Sequence, residues 1–177
     1  MPSTELFNGS EKLRTEAMDM VNAIRQNHAL EHATIALLMR RLEGKVRLIG
    51  RSGLTGFEIY GDIPTRVLEE VAPEALRRLQ EGEEELAISP ACGTNLVVAG
   101  LAVGAASMIA GRGRSGLGKF ISLVEAAILA MLVAQPLGRL AQKHLTTRAD
   151  LADVSTVRVT KRGAGKWARH RVEVVRE

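Results

Sequence analysis

Three ionisable residues within NHALEHATIALLMRR (27–41) have the spacing to act together: His28, Glu31 and His32. On a helix, positions 28 and 32 stand one turn apart on one face, so both imidazoles can address a single ion. Zinc takes histidine nitrogen at about 2.0–2.1 Å, and such a pair supplies two of its ligands. Glu31 lies beside them and is the candidate catalytic base, the group that would deprotonate a zinc-bound water. Cys92 in SPACGTN (89–95) is the candidate third ligand, because a thiolate binds zinc strongly and the following glycine permits a sharp turn; a turn and helix cap with a small buried thiol is the alternative. A set of two histidines and one cysteine leaves one coordination position open for water. His144 is the alternative third ligand, and Thr94 and Asn95 are candidates for orienting a bound water or substrate.

The helix that must carry this set is predicted over about 11–43. Val21, Ile24, His28, Glu31, Ile35, Leu38 and Leu42 recur at spacings of three and four, which places the histidine and the carboxylate in the middle of the buried stripe. Burying both without partners costs several kcal/mol. Three arrangements meet that cost: a metal ion, a polar network pairing a histidine with Glu31 or Arg25, or a helix face open to solvent.

Gly44 is a natural stop for this helix. KVRLIG (45–50) and GFEIYG (56–61) read as two strands joined by RSGLT, and TRVLEEVAPEALRRLQEGEEEL (65–86) as two short helices meeting at Ala72–Pro73. STVRVTK (155–161) and ARHRVEVV (168–175) alternate with period two around KRGAGKW and predict a second hairpin that pairs with the first. His170, Trp167 and the basic residues of that hairpin are candidates for phosphate or lipid headgroups, against a plain solvated hairpin.

Between these halves the composition changes. TNLVVAGLAVGAASMIAG (94–111) has no charge, and FISLVEAAILAMLVAQPLG (120–138) has one, Glu125. Separated by the basic loop RGRSGLGK, they predict a transmembrane helical hairpin, since a span needs roughly 20 apolar residues. A buried hairpin in a soluble protein is the alternative. Thr94 or Asn95 would cap the first span. Gly100 and Gly104, with Ala99, Ala102, Ala105 and Ala106, form a small-residue surface for close helix contact, within one chain or between two copies. Glu125 near mid-span calls for protonation, a polar partner such as Arg or Ser, or a watery cavity. Gln135 and Pro136 mark a kink or the end of the second span.

The expected class is therefore α+β: residues 1–93 supply helix, hairpin and helices, 94–138 the membrane hairpin, and 139–177 the segment that completes the sheet. Composition agrees, with 46% apolar but only 3% aromatic residues, a bias that suits close helix contact in lipid. One cysteine excludes an internal disulfide framework and any CxxC metal knuckle. The net charge of +4 is spread along the chain and is compatible with nucleic acid or an anionic bilayer surface; the apolar hairpin makes the bilayer the expected partner, and nucleic acid is not expected. MPSTELFNGSEKLR shows no cleavable signal pattern, which places the soluble part on the cytoplasmic side of the cell membrane.

HALEH resembles the inverzincin signature H-x-x-E-H of pitrilysin- and insulinase-type proteases. That resemblance covers five residues and implies local chemistry: His28 and His32 as zinc ligands, Glu31 as base. NHALEHAT (27–34), GFEIYG (56–61) and LAISPACGTN (86–95) ahead of the apolar hairpin resemble an uncharacterised family of bacterial membrane proteins, which implies a membrane-bound protein and no particular activity. Two functions follow as expectations: a membrane-anchored metal-dependent hydrolase or peptidase, and a non-catalytic membrane regulator or assembly module whose His/Glu cluster is structural.

Overall fold

The computed structural model describes residues 3–113, 115–163 and 168–177. Arg114 of the basic loop and Trp167 in the second hairpin's turn lie outside the described residues. The fold is α+β, in two compact units: 1–87 with 147–177, and 88–146.

The first unit opens with α1 (Ser3–Arg41), which carries Arg40 and Arg41 in its last turn, where cations complement the helix dipole. Gly44 ends it in the left-handed region at φ 68°, its amide donating to the Met39 carbonyl at 2.9 Å. Burial along α1 starts near Gln26 rather than at the head of the predicted stripe. Val21 and Ile24 are 55% and 42% exposed, while Asn27, Leu30, Glu31, Thr34 and Leu38 face the interior. The reason is length: the helix overhangs the sheet, and only its second half has anything to pack on.

Strand β1 (Ile49–Gly53) pairs antiparallel with β2 (Gly56–Tyr60). The first strand therefore starts later than predicted, and most of the expected RSGLT loop is strand. Gly53 pairs with Gly56, leaving only Leu54 and Thr55 to turn. Gly56 sits at φ 137° with the Val172 carbonyl 2.1 Å from where a Cβ would stand, so the tight turn depends on it.

Helix α2 (Thr65–Gln80) is continuous through Pro73, where two helices were expected. Proline removes the bond to the Glu69 carbonyl, and both residues are exposed, the setting in which that loss costs least. The inner face is apolar: Leu68, Val71, Ala72, Ala75, Leu76 and Leu79 are buried. A single 3-10 turn, Glu84–Ala87, follows. Strands β3 (Val154–Arg162) and β4 (Arg169–Arg176) complete an antiparallel sheet in the order β1-β2-β4-β3, with β4 joining the two hairpins through its pairing to β2. The core lies between this sheet and the helices, built from Leu30, Leu38, Phe57, Ile59, Leu68 and Val172 among others.

The second unit is a helical hairpin of α3 (Gly93–Ala110) and α4 (Gly116–Ala141), followed by a wide turn at Gln142–Thr146. Both helices are long and apolar enough to cross a membrane. The second is longer than expected at each end, because Gly116–Lys119 is already helical and Pro136 interrupts nothing. The close contact between them is not made by Gly100 and Gly104, which have open space where a side chain would go. It uses α4 instead: Ser122, Ala130, Ala134 and Gly138 are buried at multiples of four residues, one row along the helix. A Cβ at Gly138 would lie 2.2 Å from Asn95 Oδ1, which explains the glycine there.

Candidate metal centre

His28 and His32 do come together on α1, with ring centroids 4.3 Å apart and planes tilted by 60°. His32 is buried, and its Nδ1 lies 2.7 Å from the Ala87 carbonyl. A carbonyl only accepts, so Nδ1 carries a proton and Nε2 is the nitrogen left to address a metal. This is the tautomer a metal needs, held by the backbone contact that usually accompanies a ligating histidine.

Glu31 is buried on the same helix but engages β1, accepting a hydrogen bond from Ser52. Its carboxylate occupies the space above Gly50, where a Cβ would fall 2.0 Å from Oε1. Gly50 and Ser52 are thus part of the carboxylate's seat. Neither was legible as such in the sequence, since the expected strand ended at Gly50 and left Ser52 in a loop.

Asn27, adjacent to His28, is fully buried and saturated. Its Nδ2 donates to the Gly53 and Leu54 carbonyls at 2.7 and 2.9 Å, and its Oδ1 accepts from Arg176 Nη2 at 2.7 Å. Arg176 also donates to the Ala23 carbonyl at 3.2 Å and pairs with Asp153 at 3.4 Å. The histidine helix is therefore fixed to β4 and to the β1–β2 turn through a polar cluster that hydrophobic periodicity does not reveal.

In the second unit, Cys92 is half-buried and stands at the N-cap of α3, its Sγ accepting from the Thr94 amide at 3.4 Å. The cap is the cysteine, not Thr94 or Asn95 as expected. Thr94 Oγ1 instead donates to Thr146 Oγ1 at 3.3 Å. Asn95 is part of a clamp at the open end of the hairpin: it donates to the Pro90 carbonyl at 2.9 Å and accepts from Gln142 at 2.8 Å. Gln142 also exchanges hydrogen bonds with the Ser89 backbone, at 2.8 and 3.0 Å. Asn95 is committed to structure, and Gln142, its partner, carried no signal in the sequence. His144 is exposed in the turn after α4. Glu125 is exposed on α4, while Ser122 faces inward and donates to its own Gly118 carbonyl at 3.0 Å.

His170, expected on a solvated hairpin, is fully buried on the core face of β4. Thr65 Oγ1 of α2 is 3.1 Å from its Nε2, while Lys161 of β3 and Ile59 of β2 are its cross-strand neighbours. Desolvation, and then the Lys161 charge, push its pKa below the usual value. The folded state refuses a proton that the unfolded chain accepts below about pH 6.5, so stability should fall as pH drops through that value toward the depressed folded pKa. Thermal unfolding at pH 7.5 and 5.5 should show this slope, and His170→Gln should flatten it; equal slopes would assign the pH dependence elsewhere.

The pattern of a domain of unknown function, DUF6391, matches residues 23–159. An uncharacterised protein of Picosynechococcus sp. (strain ATCC 27264 / PCC 7002 / PR-6) is 37% identical over 141 residues, covering 72% of this chain and 67% of that protein. No solved structure matches the chain significantly. The matched segment takes in the histidine helix, both apolar helices and the start of β3, so this chain belongs to the DUF6391 family.

Proposed function

We propose that this chain is an integral membrane protein in which His28, His32 and Cys92 bind one zinc ion. The observation that carries the metal reading is the histidine pair: the rings of His28 and His32 stand together on α1 with centroids 4.3 Å apart. His32, already held in the ligating tautomer by Ala87, supports the same reading. Membrane insertion is supported by the faces of α3 and α4. Leu96, Leu101, Met108, Leu129 and Leu132 are each more than 60% exposed, an apolar surface far larger than a soluble monomer tolerates.

Within this reading the site serves best as a structural or regulatory centre. Glu31 is seated on Ser52 and Gly50, which suits an anchoring carboxylate better than a mobile base. A hydrolase remains the second reading, favoured by the fourth zinc position that three protein ligands leave for water. Sidedness follows the sequence expectation of a cytoplasmic soluble unit.

The test is metal content of detergent-purified protein by inductively coupled plasma mass spectrometry. About one zinc per chain is expected, lost in His28→Ala/His32→Ala and reduced in Cys92→Ser. Glu31→Gln should keep the metal. If it keeps the metal but abolishes a peptidase activity found in the wild type, the hydrolase reading prevails. A folded wild type without metal would overturn the metal centre.

A further inference from the structure

The sheet of the first unit has two faces, and among the described residues only one carries the buried core. Phe57, Ile59, Val172 and Val174 point into the core, so the alternate positions point out. Reading across the registers, the outer face carries Arg51, Arg171, Arg169, Arg162 and Arg158, against Glu58 and Glu173. Five arginines converge there, one from β1 and four from the distant β3–β4 hairpin. Arg51 and Arg171 flank Glu58 and Arg158 stands opposite Glu173, so favourable cross-strand pairs sit beside one repulsive pair. Arg162 stands directly opposite Arg169, a like-charge pair that weakens a sheet. Glu58 is already shared between Arg169 at 3.5 Å and the Tyr60 hydroxyl at 2.7 Å. Arg51, Arg158 and Arg162 are exposed and have no ion pair or hydrogen bond among the described residues. Ile49, in the same row as Tyr60 and Arg169, is 70% exposed.

We propose that this sheet face docks on the anionic phospholipid headgroups of the membrane its own helices cross. The inference rests on the membrane reading above. Arginine's planar fork suits bidentate contact with phosphate, and each cation near an anionic surface contributes favourably. The chain passes from the first unit to α3 through residues 88–92 and returns at 147, so the covalent tether keeps the face at high local lipid concentration. Exposed Ile49 adds an apolar side chain able to enter the headgroup layer. Nucleic acid fits less well: Tyr60 is the sole aromatic of the face among the described residues, and its hydroxyl is tied to Glu58, so a base-stacking platform is absent.

The experiment places the full chain in lipid nanodiscs of phosphatidylcholine, with or without phosphatidylglycerol, and follows phenylglyoxal modification of each arginine by mass spectrometry. Arg66 on α2 is the internal reference, since it is 88% exposed away from the sheet's outer face. Arg51, Arg158 and Arg162 should react roughly five-fold more slowly in the anionic discs, with Arg66 unchanged and the difference abolished by about 1 M salt. Equal rates in both discs, with the chain inserted, would overturn the docking and leave the membrane reading standing. A chain that never enters the discs and stays soluble without detergent would overturn both. Protection in neutral discs by an added oligonucleotide, and not by phosphatidylglycerol, would make the face a nucleic-acid surface instead.

Discussion

Gly50→Ala will destabilise the protein by about 2–5 kcal/mol, although it adds a single methyl group. That methyl would arrive 2.0 Å from Glu31 Oε1, 2.5 Å from Cδ and 2.8 Å from Cγ. The strand cannot retreat, because Gly50 is paired with Ile59 in a register fixed along β1. Glu31 must therefore leave, and it loses its Ser52 bond while still largely buried. The decisive control is Glu31→Ala in the same background. Removing the carboxylate removes the clash, so the double variant should recover part of the loss, with a coupling of about 1–3 kcal/mol in the double-mutant cycle. Thermal unfolding in detergent reads all four proteins. If the two substitutions simply add, Glu31 is not seated over β1, and its availability as a base must be reconsidered.

Asn27→Leu will cost a comparable amount, about 3–5 kcal/mol, for the opposite reason. The site has ample apolar surroundings, but Asn27 satisfies the Gly53 and Leu54 carbonyls and receives Arg176. Leucine would take the Asn27 donor from two part-buried carbonyls and deprive a largely buried guanidinium of its closest acceptor. Arg176→Lys should be milder but still destabilising, since one ammonium cannot reproduce the spread of contacts to Ala23, Asn27 and Asp153. Amide hydrogen exchange should show α1 and the β1–β2 turn loosening together in Asn27→Leu. Loosening of only one of them would mean that the asparagine does not couple them.

Periodicity made much of this fold legible. The long helix, the two strand pairs and the two apolar helices each repeat a pattern long enough to identify them, and the α+β class followed. The errors share a cause: residue type was read without the surroundings that decide its role. Val21 and Ile24 continue the stripe of α1, but the helix runs past the sheet there, so pattern alone could not say they are exposed. Pro73 reads as a breaker, yet at an exposed position it costs least. Gly100 and Gly104 match a packing motif, whereas the contact uses a row of alanine, serine and glycine on the other helix that has no named spelling. At the candidate site, the histidine pair was visible from spacing. The seat of Glu31 was not, because a glycine chosen for a side chain above it looks like any other glycine. His170 was misplaced because alternation shows two faces but not which one is covered.

The strand order has a consequence for how the molecule is made. Inner strand β4 is synthesised only after both apolar helices, although one of its partners, β2, emerges long before them. Until β4 arrives, β1 and β2 are a lone pair of short strands, which water does not support by itself, and β2 presents an unprotected edge. The hairpin therefore reaches its environment while the sheet is still unfinished. A ribosome that pauses between residues 146 and 168 would hold a chain with its apolar helices complete and half of its sheet open, and this interval is where the protein is most exposed to misassembly and proteolysis.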